Sequence, residues 1–311
     1  MSDTDDDRTA SLMTPAKLAQ LKVRPNAPSS PAAWLDQMAA DAGSGHVRRL
    51  ADLRGQLEAQ VRERNYEGVR SAAGELGAAL SQLDFSLVQP KGWLARATGK
   101  GKEAAAGFMA QHQRIGRAGD DLADEVQALV RKHQGQAALA ERTLVEFEVE
   151  VRAIEKIMEQ GARWLQDMRS QLKVREAAGG DEAVLAQVRQ DAVRCELLVA
   201  RLKQLRAAST AAQQAAERCK SATRARASVL ESVQQALNGE WKTWRDTVGA
   251  VAEEAAATGA ATRGIEPARA VHDALQAALE QAGRDCSGIA AQEQALAQEL
   301  AALQAPLQAA G

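Results

Sequence analysis

The chain has 311 residues and a formal net charge of -2; only 3% of its residues are aromatic, and alanine swells its apolar share of 45%. Such a composition favours helices over sheets, and the lack of a global basic field argues against a dedicated nucleic-acid binder. Cys195, Cys219 and Cys286 are too few and too scattered for a disulfide framework or a zinc cluster, and they suit a reducing compartment.

The opening MSDTDDDRTA is acidic where a signal peptide would be basic, and no apolar run reaches the roughly 18 residues of a spanning helix, so the sequence reads as cytoplasmic. Residues 1–30 read as a disordered acidic and proline-rich tail, interrupted by Pro15, Pro25 and Pro28. A small helical base is expected over 31–84. Ser30-Pro31 opens its first helix, which carries Trp34, Leu35 and Met38 and stops at Gly43-Ser44-Gly45. Val47, Leu50, Leu53, Leu57 and Val61 line the second, and Val69, Ala73, Leu76, Leu80 and Leu83 the third.

Residues 85–102 form a basic elbow with an apolar tip, in which Lys91, Arg96, Lys100 and Lys102 flank Trp93. A phosphate-binding loop does not fit, because the glycine spacing is wrong and no hydrophobic strand precedes it. These five residues are the candidate surface contact, either packing on the bundle as a structural elbow or touching a protein partner or an anionic membrane surface.

The next stretch, 103–257, reads as a hairpin of two very long helices. In the first, Phe108, His112, Ile115, Gly119, Leu122 and onward to Phe147, Ile154, Trp164 and Met168 step by fours and threes. In the second, Leu198, Leu202, Leu205, Ser209, Ala212, Ala216, Cys219, Thr223, Arg226, Leu230, Val233 and Leu237 hold a seven-residue repeat, a coiled-coil seam. Gly179-Gly180 turns the chain at a tip over 178–181 and Asp181 caps the second helix, so an antiparallel pairing is expected. In that pairing Leu139, Thr143 and Phe147 meet the small residues Ser209 to Thr223. A kink or break is open at the helical glycines, first near Gly135, since each costs about 1 kcal/mol, and a stutter before Trp241 re-phases the seam at Asn238-Gly239. Over 265–305 two further helices are expected, one with Val271, Leu275, Ala278 and Ala282 inward and one with Ile289, Leu296, Leu300 and Leu303, before Pro306 ends the ordered chain.

No catalytic constellation stands out. Cys195 and Cys219 read as buried small hydrophobes, and His112 and His133 as polar contacts between helices. Glu146 and Glu150 share a face, but no Glu-x-x-His accompanies them, so the metal site of ferritin-like bundles lacks its signature. No cofactor and no metal are expected.

The elbow ending in GKGK, the following GFMAQHQRIGRAGDDL, the Arg201, Leu202 and Leu205 pattern, the Trp241-Lys242 pair and GIEPARAVHDALQAALEQA together resemble the TelA/KlaA toxic-anion (tellurite) resistance family over about residues 34 to 282. That resemblance implies a phenotype, resistance to tellurite and similar stresses, with no agreed reaction. The expectation is therefore an all-α protein, an elongated antiparallel coiled-coil hairpin on a small helical base. It would act in a bacterial stress-resistance system by binding protein partners, without catalysis, in the cytoplasm or peripherally at the inner face of the membrane. A generic coiled-coil scaffold or membrane-surface adaptor is the alternative, and self-association of the hairpin stays open.

Overall fold

Apolar residues spaced by three and four leave one stripe per helix to be buried, and every regular element of the computed structural model, which describes residues 31–89, 100–262 and 264–311, is helical. In order these are α1 (Pro31–Asp41), α2 (Ser44–Arg62), α3 (Glu67–Leu80), a 3-10 turn (Phe85–Leu87), α4 (Lys100–Ala178), α5 (Glu182–Ala236), a π turn (Leu237–Trp241), α6 (Lys242–Thr258), α7 (Ile265–Ala302) and α8 (Gln304–Ala309). α4 runs for 79 residues and α5 for 55. Gly179, at a φ of 70°, ends the first, and Asp181 Oδ1 accepts the Val184 N–H at 2.9 Å to cap the second.

Two compact units divide the chain. One takes α1, the start of α2, the 153–209 parts of α4 and α5, and the last three residues; the other takes 48–152 and 210–308.

In the first unit Leu165, Met168 and Leu172 of α4 pack with Val188, Cys195 and Leu198 of α5. Arg169 reaches Glu196 at 2.6 Å and Arg175 reaches Asp191 at 3.2 Å, so in this unit the two helices run antiparallel. α1 is fastened by Arg201, whose Nε and Nη2 both donate to the Ala42 carbonyl at 3.1 and 2.9 Å, supplying partners to a carbonyl at the end of the helix. Gly43 follows at a φ of 75°, where a Cβ would meet Leu205 at 3.3 Å. The Arg201, Leu202 and Leu205 pattern thus has a structural job: Arg201 and Leu205 hold the α1–α2 turn, and Leu202 fills the space beside Gly161.

The second unit holds the larger core, with Leu76, Phe108, Ile115, Leu122, Trp244, Val248, Leu275 and Ile289 among its buried members. Aromatic rings knit it: Trp241 stacks on Trp244 at 5.2 Å, Trp244 on His112 at 5.3 Å, and the Trp244 indole N–H donates to His272 Nδ1 at 3.3 Å. The π turn supplies the expected re-phasing, since its extra residue rotates Trp241 and Trp244 into the core. The Ala261 N–H donates to the Val88 carbonyl at 2.8 Å and ties the segment after the 3-10 turn to the loop after α6.

Four expectations are corrected. α4 does not break at Gly135, because α2 pins the turns on either side: Lys132 Nζ donates to the Glu63 carbonyl at 2.9 Å and Gln60 Nε2 to Thr143 Oγ1 at 3.2 Å. The two expected C-terminal helices are one, α7, whose buried stripe continues through Ala282, Cys286 and Ile289. Pro306 lies inside α8, in the first turn, where its missing N–H has no helical partner to lose. Leu139 points outward, 57% exposed, while Thr143 and Phe147 are buried as expected.

Gly119 is where backbone and indole approach most closely, and a Cβ there would sit inside the Trp241 ring, whereas one at Gly116 meets nothing within 4 Å. Gly119→Ala should therefore destabilise by about 1 to 3 kcal/mol through overpacking. Gly116→Ala should be neutral or stabilise by up to about 1 kcal/mol through helix propensity. Thermal denaturation of the pair measures both; equal melting temperatures would refute the close packing of Trp241 on α4.

Candidate functional site

Between α2 and α3 the chain makes a short connector over 63–66, in which Asn65 Oδ1 accepts the Glu67 N–H at 2.8 Å. This turn sends Tyr66 inward, 3% exposed, and lays Arg64 half-buried against the His133 turn of α4. α5 adds Arg226 and α7 adds Glu293, so a polar layer crosses the second unit.

Arg226 and Glu293 form its anchored half. Their side chains are 8% and 6% exposed; Arg226 Nε and Nη2 donate to the two carboxylate oxygens, the second at 2.9 Å, and Nη1 donates to Thr223 Oγ1 at 3.1 Å. Two-point pairing of this kind is what makes a buried charge pair tolerable, and removing either partner costs about 3 to 5 kcal/mol.

Arg64 forms the open half. Its Nη1 lies 3.5 Å from His133 Nδ1, a long contact that requires an unprotonated Nδ1, since a guanidinium can only donate. Among the described residues it makes no ion pair, and its Nε, like the Tyr66 hydroxyl, is buried without a hydrogen-bond partner there. Burial and the neighbouring Arg226 lower the Arg64 pKa, and burial with Glu293 pushes the Tyr66 hydroxyl up to about 12. Burial, with the charges of Arg64, Arg226 and Lys132, drives the His133 imidazole down to about 4. Two guanidiniums face one carboxylate while the imidazole stays neutral, so the layer carries one uncompensated positive charge.

Both sides of the layer open to solvent. A groove of about 880 Å³ runs between α4 and α5, with Arg64, His133 and Arg226 at one end, Ala137, Leu144 and Ala227 along its walls, and the 2.5 Å ion pair of Lys220 with Glu148 at the other. A recess of about 440 Å³ is lined by Arg64, Tyr66, Cys286, Glu293, Gln294 and Gln298. Arg64 borders both. Such an arrangement can bind an anion or an amphiphile; it contains no nucleophile paired with a base.

Of the elbow residues, Lys91, Trp93 and Arg96 and the Lys100 side chain lie outside the described residues; Lys102 is exposed in the first turn of α4. All three cysteines are buried, and burial raises their pKa values, to about 11 for Cys219 and Cys286. His112 is a core ring stacked on Trp244, and Glu146 pairs with Arg49 and Arg142. Among the described residues no group of three or more His, Cys, Asp or Glu could hold a metal ion. No described helix is long and apolar enough to cross a membrane. Sequence reasoning missed the Arg64–Tyr66–Glu293 constellation, although Arg226 on an apolar heptad position, and Glu293 between Ile289 and Leu296 on the inward stripe of α7, were available signals.

Compared with family models, curated proteins and solved structures, the chain finds no match.

His133 sets a pH dependence. Its folded pKa lies below the unfolded value near 6.5, so the unfolded state binds the proton first and stability falls as pH drops from about 6.5 to about 4. The loss is on the order of 2 to 3 kcal/mol, and His133→Asn should flatten that part of the profile. Urea titrations of both proteins at pH 7, 5.5 and 4 measure it; parallel profiles would show that His133 is not held neutral.

Proposed function

We propose that this chain is a non-catalytic helical binding protein of a bacterial stress-resistance system, built on an antiparallel coiled-coil hairpin of α4 and α5. The observation that carries the binding role is the groove beside Arg64, where apolar walls end at a guanidinium that makes no ion pair among the described residues. The cross-helix pairs Arg169–Glu196, Arg175–Asp191 and Lys220–Glu148 support the hairpin, each joining an α4 residue to an α5 residue in descending register. The resemblance of residues 34 to 282 to the TelA/KlaA family supports toxic-anion resistance as the setting. On this reading the protein works in the cytoplasm, binds through the groove, and uses Lys91, Trp93, Arg96, Lys100 and Lys102 as a second contact toward a partner or an anionic membrane surface.

A growth assay tests it. A strain lacking the protein should become tellurite-sensitive and be rescued by the wild type and by a variant with all three cysteines changed to alanine. It should not be rescued by Ala227→Phe, which fills the groove from an exposed position. Full rescue by a folded Ala227→Phe would refute the groove as the working site. No sensitivity on deletion would favour a scaffold or adaptor role unrelated to toxic anions.

A further inference from the structure

We infer that the groove between α4 and α5 is a binding site for a long-chain monocarboxylate, its head on Arg64 and its chain along Ala137, Leu144 and Ala227. This deepens the binding role proposed above and rests on it.

Charge selects the head group. Arg226 is already matched in two-point geometry by Glu293, and Arg224, which also lines the groove, is exposed to water, which leaves Arg64 as the half-buried guanidinium with donors to offer. At the far end Lys220 is committed, at 2.5 Å to Glu148 and 3.0 Å to Glu217. A monoanion neutralises the single excess charge of the polar layer, whereas a dianion would leave a new half-buried negative charge. The planar fork of Arg64 suits a carboxylate, which can accept from two of its nitrogens at once. His133 assists by staying neutral: beside Arg64, Arg226 and Lys132 the imidazole adds no further cation next to the head group, and Glu293 is occupied by Arg226.

Shape and polarity select the tail. From His133 to Glu148 the groove follows α4 for about 22 Å, at about 1.5 Å per residue. Its volume of about 880 Å³ lies in the range of small-molecule sites, roughly 300 to 1,000 Å³. Ala137, Ala140 and Ala227 keep the walls thin, so that a polymethylene chain can lie between the helices, and Leu144, Val145 and Leu230 give it apolar contact. Val145, half exposed on the groove wall, would be covered by such a chain.

Isothermal titration of the full-length protein with palmitate, below its micelle concentration, tests the assignment. One saturable site is expected, with hexadecanol and acetate each at least tenfold weaker because one lacks the charge and the other the chain. Arg64→Gln should weaken palmitate at least tenfold while leaving hexadecanol unchanged, a split that a merely misfolded variant would not give. Ala227→Phe should abolish binding of both. Equal affinity for palmitate and hexadecanol, or wild-type affinity in Arg64→Gln, would overturn the carboxylate assignment. Absence of palmitate binding, with Ala227→Phe still failing to rescue tellurite growth, would overturn it too while sparing the wider binding role. If Ala227→Phe also rescues growth fully, both fall.

Discussion

Taking a guanidinium and a carboxylate out of water inside an alanine-rich bundle is the constraint on which the second unit depends. Arg226 and Glu293 come from α5 and α7, and neither charge is tolerable in the core without the other. Their two-point geometry fixes the rotation of both helices, because a turn of either would separate the fork from the carboxylate. Around that fixed pair the remaining polar groups are arranged: Thr223 accepts a hydrogen bond from the third guanidinium nitrogen, and Arg64 and His133 face it from the α2–α3 connector and α4. A core of alanines would otherwise specify register weakly, since small side chains slide past one another at little cost. A single buried ion pair supplies the specificity that volume does not.

The aromatic cluster provides the second fixed point. With few aromatic residues available, the chain concentrates Trp241, Trp244, Phe85 and Phe108 in one place and joins them through His112 and His272. The π turn allows this, because an uninterrupted α-helix would carry Trp241 off the buried stripe. Gly119 completes the fit from the opposite helix by leaving room for the indole. Large rings meeting an absent side chain is the same economy of shape seen at Gly161 with Leu202 and at Gly43 with Leu205.

The candidate site lies where this packing leaves polar capacity over. Arg226 spends its donors on Glu293 and Thr223, whereas Arg64 and Tyr66 retain buried atoms without partners and border open space. A half-buried cation next to apolar walls is a poor structural element and a good binding element, because part of its desolvation is already met by folding when an anion arrives. For that reason the groove, and not the histidines or cysteines, is the proposed working site. The cysteines are held as protonated thiols by burial, and His112 is a stacked core ring.

How much of this could be read from residues alone differs by kind. Local signals determined the elements: Gly179-Gly180 and Asp181 fixed the turn between α4 and α5, the three-and-four spacing fixed which residues turn inward, and the step of four before Trp241 marked the π turn, since each depends on neighbours within one or two helical turns. Gly135 and the division of residues 265–305 into two helices misled for the same reason. A glycine weakens a helix in isolation, but α2 braces α4 across Gly135 and the buried stripe of α7 runs on through Cys286 and Ile289. The polar layer was beyond local reading altogether. Arg64, Tyr66, His133, Arg226 and Glu293 come from the α2–α3 connector and three helices, spread over more than two hundred positions, and sequence shows only that Arg226 and Glu293 occupy apolar positions. Which charge meets which, and which guanidinium is left facing a groove, depends on how the helices are rotated against one another, and only the tertiary packing sets that rotation.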